Sequence, residues 1–315
     1  MFSVLITGLE HCIVRFNSSL NSKYTQKNYL AHINKFKGYL MLQSYEELLK
    51  IDADVLQSHL ENYLFMLKAT TNPNSIPTLF LGIRHFFVIN RILLNWDLIK
   101  KMYPPKILRT GHAAWTKDEI KVFINSATSI RDRLLVCFLA TTGVRIGSFD
   151  HKMLIRHTVA MPKHWLAIKI YPGTTNEYWT FLPPHVNKML RDYFMHRSHN
   201  GELIHADTPL FRNIYTKSTV KNVKQLQWSG ARTAVYRIVN KSSVHRPKIG
   251  SRYDIQINHG FRKYFNTTLK LNNNVNSNIV EKLMGHKNGL DGTYLTPTLL
   301  QCFNEIQKAQ DDLTL

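Results

Sequence analysis

The chain has 315 residues, of which 44% are hydrophobic, and this is enough for two domains that each have a core. No segment reaches the roughly 18 uninterrupted apolar residues of a membrane span, and the cysteines Cys12, Cys137 and Cys302 are too few and too far apart for a disulfide framework or a Cys-rich metal site. Such cysteine usage is typical of a reducing compartment. Lysine and arginine total 41 against 21 acidic residues, a net charge of +20 that favours a polyanionic partner.

The spacing of apolar residues over the first hundred positions predicts helices. The opening "MFSVLITGLEHCIVRF" lacks a basic region and is interrupted by Glu10 and His11, so we interpret it as a strand or lead-in and not as a signal peptide. Next, "TQKNYLAHINKFKGYL" has apolar residues at helical spacing, with Thr25 as a possible N-cap. The stretches "ADVLQSHLENYLFMLK" and "IPTLFLGIRHFFVIN" predict two further helices.

A change of composition then separates two domains. The stretch "YPPKILRTGH" has two prolines, a glycine and no acidic residue, which is typical of a linker. We therefore predict an N-terminal helical domain over residues 1–103, a linker over 104–113 and a second domain over 114–315.

The second domain is predicted to be mainly α with a small β-hairpin. It opens with Thr116 and Glu119 at the spacing of a capping box. An apolar helix, "RDRLLVCFLATTG", follows and ends at Gly143. The alternating stretch "WLAIKIY" and the extended "EYWTFLPP" flank the turn sequence "PGTTN", so they predict a hairpin. The remainder again predicts helices.

The positive charge is concentrated in two stretches without acidic residues. One lies between Asp207 and Asp254 and the other between His11 and Tyr45, where lysines alternate with aromatic residues. Charge runs are commonly solvated faces, but long runs of one sign in both halves of the chain favour nucleic acid as the partner. We expect five of these residues to bind DNA: Lys27, Lys35, Lys221, Lys224 and Arg232.

Five polar residues stand at the ends of predicted elements, and each alone has an ordinary structural explanation. Together they suit one reaction. Two arginines can bind the non-bridging oxygens of a phosphodiester, two histidines can bind it or move a proton, and a tyrosine hydroxyl can attack phosphorus. No metal-binding or nucleotide-binding motif is present. These residues are Arg145, His259, Arg262, His286 and Tyr294.

The motifs around these residues resemble those of a known family. "TTGVRIGSF", "HGFRKYFNTTL" and "LMGHKNGLDGTY" occur in the order found in tyrosine recombinases, or phage-type integrases, within roughly residues 114 to 300. The chain is most similar to the integrases of archaeal viruses and mobile elements. The resemblance implies a DNA breaking–rejoining catalytic domain preceded by a helical, SAM-like core-binding domain, which together form a C-shaped clamp around DNA.

The resemblance also implies a role for each matched residue. Arg145 and Arg262 would bind the scissile phosphate, His259 would assist proton transfer and His286 would contact the phosphate or the transition state. Tyr294 would attack to form a 3′-phosphotyrosyl bond and release a 5′-hydroxyl. The reaction would need no metal, ATP or other cofactor.

Two positions depart from the family pattern. The family usually has a general-acid lysine at or near the hairpin turn, but "PGTTNEY" has none. Lys169 is the nearest candidate and Lys163 lies farther away. If the apolar residues beside it face the core, Lys169 points to the other face of the strand, towards DNA or solvent. In addition, Ser148 and Phe149 stand where a glutamate is frequent, so the support of Arg145 is expected to differ.

Partners and location follow from the resemblance. We expect the protein to bind double-stranded DNA at attachment sites, as a homotetramer on synapsed DNA and as a monomer or dimer when free. We expect no membrane partner and a location in the host cytoplasm or at the nucleoid. The tail "TLLQCFNEIQKAQDDL" has Leu299, Leu300, Phe303 and Ile306 on one helical side, which would dock on a neighbour or pack on its own domain. Delivery of Tyr294 in cis or in trans stays open.

Two other functions remain possible from the sequence. A type IB topoisomerase uses a similar site, although its Ser and Lys shortly before the tyrosine are not seen around "GLDGTY". A catalytically impaired DNA-binding relative would explain the missing turn lysine, but the presence of both arginines, both histidines and the tyrosine favours an active enzyme.

Overall fold

The computed structural model describes residues 11–107, 111–249, 252–286 and 294–315. The chain divides into two compact units, Met1–Leu108 and Arg109–Leu315. This division lies within residues 104–113, the segment for which the sequence predicts a linker. No helix in the described ranges is long and apolar enough to cross a membrane.

The first unit is helical throughout its described part. Its helices are α1 (His11–Ser18), α2 (Lys23–Tyr39), α3 (Tyr45–Lys50), α4 (Ala53–Thr70), α5 (Ile76–Ile89) and α6 (Trp96–Lys101). Residues 11–16, expected as a strand or lead-in, are helical, and residues 1–10 lie outside the described part. The predicted N-cap Thr25 is also wrong. The helix begins at Lys23, and the Ser22 side chain caps it by accepting a hydrogen bond from the Thr25 backbone N–H.

Aromatic side chains fill the core of the first unit. Phe36 and Phe86 are fully buried, and Phe36 packs against Tyr63 with ring centroids 5.2 Å apart. Helices α2 and α5 come close together because Gly82 has no side chain. A Cβ at residue 82 would lie 2.8 Å from the Cα of Tyr29. The apolar periodicity seen in the sequence therefore corresponds to this core.

The second unit combines helices with two small sheets. Its helices are α7 (Lys117–Ser126), α8 (Ile130–Thr142), α9 (Pro184–His199), α10 (Trp228–Lys241), α11 (Ile257–Leu271), α12 (Ser277–Leu283), α13 (Leu299–Gln307) and α14 (Gln310–Leu313). Its strands are β1 (Thr158–Ala160), β2 (Leu166–Ile170), β3 (Tyr178–Leu182), β4 (Lys248–Ile249) and β5 (Arg252–Tyr253). The predicted β2–β3 hairpin is present, whereas β1 and the β4–β5 hairpin were not predicted. The three longer strands form an antiparallel sheet in the order β1-β2-β3.

Helix α8 is the centre of the second unit. Every residue from Leu134 to Thr142 is buried and none of them is charged, as expected of a helix that is surrounded by protein. The capping box predicted for α7 is present, since Thr116 and Glu119 bond reciprocally. As predicted, α8 ends at Gly143, which adopts a left-handed conformation with φ of 59°. A Cβ there would also meet the Phe265 ring at 2.5 Å, so glycine is required both for the turn and for the close packing of α11.

Both faces of the sheet are covered. Ile168 and Ile170 join the main core around α8, while Ala167 and Phe181 pack in a separate cluster with helix α13. Phe303 of α13 lies 5.9 Å from the Phe181 ring. Lys169 lies on the same face of the sheet as Ala167 and Phe181. Helix α13 covers part of that face, so the face is open neither to DNA nor to solvent over its whole area.

The C-terminal helices pack on their own unit. Cys302, Phe303 and Ile306 are buried, whereas Leu300, which was expected on the same side, is 56% exposed. The Trp165 indole donates to the Gln310 side chain over 3.1 Å. Of the two predicted dispositions of the tail, the structure shows packing within its own unit.

Candidate active site

Arg145 follows directly from the end of α8. Gly143 turns the chain, and Arg145 then has an extended backbone and precedes the 3₁₀ turn Ile146–Asp150. Its side chain is exposed and makes no hydrogen bond to another described residue. It is close enough to Arg262 and His259 to affect their pKa values. The exposed guanidinium is therefore available to an anion.

Arg262 lies in α11 and is only 7% exposed. Its Nη1 donates to the Gly143 carbonyl over 2.5 Å, and its Nη2 donates to the Met284 carbonyl over 2.6 Å and to His286 Nε2 over 2.8 Å. None of these partners is negatively charged. Burial and the positive charge of Arg145 lower the pKa of Arg262 from its ordinary value. An arginine remains protonated nonetheless, so the site holds uncompensated positive charge.

His286 is held by the end of α12. Gly285 has a φ of 63°, its N–H donates to the Lys282 carbonyl, and the His286 N–H donates to the Glu281 carbonyl over 2.9 Å. This is the Schellman arrangement, in which the glycine lets the chain fold back over the helix end. The imidazole Nδ1 then lies 2.5 Å from the Glu281 carboxylate. The motif "MGH" thus fixes His286 against Arg262.

His259 lies in the first turn of α11 and is exposed. Loss of hydration, followed by the charges of Arg262, Lys263 and Arg145, lowers its pKa from the ordinary value. His259 is therefore neutral at pH 7, and it can accept a proton. The helix beneath it is fixed because Gly260 leaves room for Trp115, whose indole donates to the Ile257 carbonyl over 2.9 Å.

Two tyrosines of the β2–β3 hairpin also lie at this site, and the sequence interpretation missed them. Tyr178 packs on Gly285, where a Cβ would lie 2.4 Å from its ring. Its hydroxyl is buried next to Arg262 without reaching ordinary hydrogen-bond geometry, and burial raises its pKa to about 12. Tyr171 stands at the other end of the turn, 6.2 Å from the Tyr178 ring. Aromatic residues on both sides of "PGTTNE" were the available signal.

Lys169 occupies a different environment from the arginines. Its Nζ lies 3.0 Å from the Glu177 carboxylate and 4.9 Å from the centroid of the Trp179 ring, which is its cross-strand partner. None of its described contacts joins it to Arg145, Arg262 or the histidines. The alternative, Lys163, is exposed and has a φ of 54°. The structure thus leaves Lys169 at the hairpin but paired with a carboxylate.

Tyr294 is 78% exposed and precedes the C-terminal helices. Residues 287–293 of the "GHKNGLDGTY" motif lie outside the described part. No described contact connects Tyr294 with the arginines. The structure therefore brings together four of the six predicted catalytic residues, Arg145, His259, Arg262 and His286, and does not bring Tyr294 or Lys169 into contact with them.

The surroundings of Arg145 show what replaces the glutamate that is frequent in the family. Ser148 and Phe149 are both buried, and Phe149 packs edge-on against Phe138 at 6.0 Å. The nearby acid is Asp150, which accepts a hydrogen bond from the Trp228 N–H at the start of α10 over 3.0 Å. In the described ranges no three His, Cys, Asp or Glu side chains lie close enough together to hold a metal ion.

The predicted DNA-binding residues of the second unit are exposed. Lys221 and Lys224 lie in the loop before α10, and Arg232 lies on α10 itself. Arg232 is 5.1 Å from the Tyr236 ring centroid, and Arg246 is 3.9 Å from the Tyr253 ring centroid. Cations and rings thus alternate from α10 to the β4–β5 hairpin. We call this surface the basic–aromatic strip: Trp228, Arg232, Tyr236, Arg246, Lys248 and Tyr253.

Not every arginine of the acid-free stretch is available to DNA. Arg212 is 1% exposed and pairs with Glu202, and Arg237 pairs with Asp132 over 2.8 Å. In the first unit, Lys27 and Lys35 are exposed on α2 at helical spacing and lie on the side that carries the exposed Tyr24.

Comparisons with known proteins identify the fold. No family model and no curated protein matches the sequence. The solved structure of the Tn1549 transposon integrase with transposon right-end DNA matches with a TM-score of 0.61 and 12% identity, covering 94% of this chain and 98% of that one.

Two further structures are similar. XerH site-specific recombinase bound to difH substrate has a TM-score of 0.58 and 18% identity, covering 84% of this chain and 74% of that one. A lambda integrase tetramer bound to a Holliday junction has a TM-score of 0.57 and 14% identity, covering 92% and 79%. The chain therefore has the fold of the tyrosine recombinases and integrases, as the resemblance predicted.

Proposed function

We propose that the protein is a site-specific DNA recombinase or integrase that cleaves and rejoins DNA through a 3′-phosphotyrosyl intermediate. The observation that carries this proposal is the convergence of Arg145, Arg262, His259 and His286 on one site whose described partners leave the positive charge uncompensated. The recombinase fold supports the same chemistry.

In the proposed reaction each group has one task. Arg145 and Arg262 bind the two non-bridging oxygens of the scissile phosphate and stabilise the charge that develops in the transition state. His259, neutral at pH 7, accepts the proton of the Tyr294 hydroxyl. The tyrosine oxygen bonds to phosphorus, the bond from phosphorus to the 5′-oxygen breaks, and a proton from Lys169 completes the 5′-hydroxyl.

Two rearrangements are required for this reaction. Tyr294 must approach the arginines from its exposed position, and Lys169 must exchange Glu177 for the leaving oxygen. The covalent link conserves the energy of the phosphodiester, so a 5′-hydroxyl from a second strand reverses the reaction without ATP or metal.

The partner in this proposal is double-stranded DNA carrying an attachment site. The XerH and lambda integrase structures contain DNA substrates, and the latter is a tetramer on a Holliday junction. We propose the same assembly on synapsed DNA, with the exposed residues Lys27, Lys35, Lys221, Lys224 and Arg232 binding the backbone. The first unit would serve as the core-binding domain, and the protein would act in the host cytoplasm or nucleoid.

The experiment that tests this proposal is covalent capture. A pool of nicked duplexes with randomised sequence loses a short 3′ fragment after cleavage, so an attacking tyrosine stays attached to DNA, and the trapped sequences identify the site. We expect an adduct with the wild type and none with Tyr294→Phe. Tyr39→Phe, which removes another exposed hydroxyl, is the matched control.

Metal chelation and the preference for one DNA site distinguish a recombinase from a metal nuclease, a topoisomerase and an impaired relative. Excess EDTA should leave adduct formation unchanged, and loss of the adduct that magnesium restores would instead indicate a metal nuclease. Relaxation of supercoiled DNA without a preferred site would indicate a topoisomerase. Specific binding without any adduct would indicate an impaired relative.

A further inference from the structure

Glu281 belongs to a hydrogen-bonded chain behind the phosphate-binding arginine. The Glu281 carboxylate pairs with Lys270 on one side and lies 2.5 Å from His286 Nδ1 on the other. His286 Nε2 in turn lies 2.8 Å from Arg262 Nη2. The chain therefore links α11 twice, through Lys270 and Arg262, to the end of α12.

The donors in this chain fix the protonation of the imidazole. A guanidinium N–H can only donate, so His286 Nε2 must be the acceptor. The carboxylate of Glu281 can only accept when ionised, and its pKa is lowered by its bonds to Lys270 and His286 despite partial burial. The proton of the imidazole therefore lies on Nδ1. A histidine in this tautomer accepts a hydrogen bond from Arg262 and cannot donate one from Nε2.

Local structure explains why Glu281 can hold the ring. The Schellman arrangement at Gly285 brings the residue after the glycine back over the residue five positions earlier. The His286 N–H and its Nδ1–H consequently both point to Glu281, the first to its carbonyl and the second to its carboxylate. Tyr178 covers Gly285 and leaves the loop little room to change.

We infer that Glu281 is a positioning residue: it holds His286 in the Nδ1–H tautomer, and His286 in turn holds the Arg262 guanidinium in place for the phosphate. This inference rests on the proposed function for its effect on cleavage, but the tautomer can be measured without any reaction. Because two of the three Arg262 contacts are to backbone carbonyls, the imidazole is the contact that a side-chain substitution can remove.

The first test measures the tautomer by ¹⁵N–¹H correlation of the imidazole, with His286→Gln used to assign the signal. We expect the Nδ1–H form in the wild type and in Glu281→Gln, since a glutamine carbonyl still accepts the bond. In Glu281→Ala the Nδ1–H loses its acceptor, so we expect the ring to leave Arg262 and to shift to the Nε2–H form. A wild-type imidazole protonated on Nε2 alone, or one that Glu281→Ala leaves unchanged, would overturn the inference.

The second test measures single-turnover cleavage. Glu281→Ala should be slower by roughly 10- to 100-fold, the range found when the hydrogen-bond partner of a metal-binding histidine is removed. Glu281→Gln should recover most of the rate. Glu305→Gln is the matched control, because this carboxylate has similar exposure and also pairs with a lysine, but its other bond comes from the Asn276 N–H and it lies outside the chain.

A DNA substrate with an uncharged linkage tests whether Glu281 affects cleavage through Arg262. In a methylphosphonate, a methyl group replaces one non-bridging oxygen, so the phosphate loses the charge that Arg262 neutralises. If Glu281 acts through Arg262, the defects of Glu281→Ala and Arg262→Ala should both shrink on this substrate. Equal defects of Glu281→Ala on both substrates, with Arg262→Ala rescued, would refute this route. A wild type that cleaves neither substrate would refute the proposed function and leave the tautomer measurement to decide the inference.

Discussion

The second unit contains two kinds of buried arginine, and they differ in what surrounds them. Arg197 and Arg212 are 0% and 1% exposed and share the carboxylate of Glu202. Arg262 is 7% exposed, and its described partners are two carbonyls and an imidazole nitrogen. The Glu202 carboxylate compensates one of the two charges of that pair and accepts hydrogen bonds from both guanidinium groups, whereas no described partner of Arg262 is a carboxylate.

This difference separates structural arginines from the one that we expect to bind phosphate. Burial of an unpaired charge is costly, and a buried pair that loses one partner is strongly destabilised. The fold tolerates Arg262 because carbonyl dipoles replace part of its hydration and because Arg145 and His259 leave the site open to solvent on one side. Burial without a carboxylate is therefore the structural signal of the site.

Substitution of one arginine of each kind tests the comparison directly. Arg262→Ala should slow single-turnover cleavage by roughly 10³, because a donor to the developing charge is lost, with a smaller effect on stability. Arg212→Ala leaves Glu202 paired with Arg197 alone and should lower the free energy of unfolding by about 1.5–3 kcal/mol, the range for a lost hydrogen bond to a charged group, while the rate per folded molecule stays unchanged. Urea denaturation and cleavage measured on the same preparations check both. The comparison fails if Arg212→Ala is the slower enzyme or if Arg262→Ala is the less stable protein.

Lys169 resembles the structural arginines more closely than it resembles Arg262, because it is paired with the Glu177 carboxylate. As a general acid, Lys169→Ala should slow cleavage of a normal phosphodiester by roughly 10². On a 5′-bridging phosphorothiolate, whose sulfur leaves without a proton, the same variant should approach the wild-type rate.

Two controls sharpen the Lys169 prediction. Arg262→Ala should stay slow on the phosphorothiolate, because its task is the non-bridging oxygens. Glu177→Gln, which releases Lys169 from its ion pair, should not slow the normal substrate. Equal defects of Lys169→Ala on the two substrates would remove Lys169 from the reaction and leave Lys163, His259 or water as the proton source.

The sequence anticipated the part of the site that local structure determines. Gly143 ends α8 and places Arg145, and Gly285 ends α12 and places His286, so helix-end chemistry was sufficient to mark both residues. The helix spacing of His259 and Arg262 marked the third element. What local patterns cannot give is the pairing between distant elements.

The features that the sequence did not predict depend mostly on contacts between distant parts of the chain. Tyr178 reaches the site because the hairpin register places it against Gly285, and Glu281 gains its role because α12 turns back on α11. The expected face of Lys169 was correct in direction, but the covering of that face by α13 depends on a contact between residues more than a hundred positions apart. The N-cap at Thr25 failed for a local reason, since Ser22 precedes it as a competing cap.

The acid limb of the pH–rate profile tests His259. Its pKa is lowered by loss of hydration and by the neighbouring cations, so kcat/KM should stay nearly constant from pH 8 down to about 6.5 and fall only below that ordinary value. The fold also loses stability as the pH falls through this range, because the unfolded chain binds the proton more readily. Rates are therefore compared only where circular dichroism is unchanged. A limb above pH 6.5, or one that persists in His259→Gln, would exclude His259 as the base.

The smallest expected effect separates free from paired arginines on the surface of α10. Arg232 stacks on aromatic rings of the basic–aromatic strip, whereas Arg237 on the same helix pairs with Asp132. If Arg232 neutralises one phosphate, Arg232→Gln should reduce the slope of log affinity against log salt concentration by about 0.9. Arg237→Gln removes the same charge from the same helix and should reduce the slope less, since its guanidinium is held by the Asp132 carboxylate, which also pairs with Arg131. Titration of fluorescent duplex at several salt concentrations measures both slopes. Equal slopes for Arg232→Gln and the wild type would mean that this face of α10 is solvated and does not contact DNA.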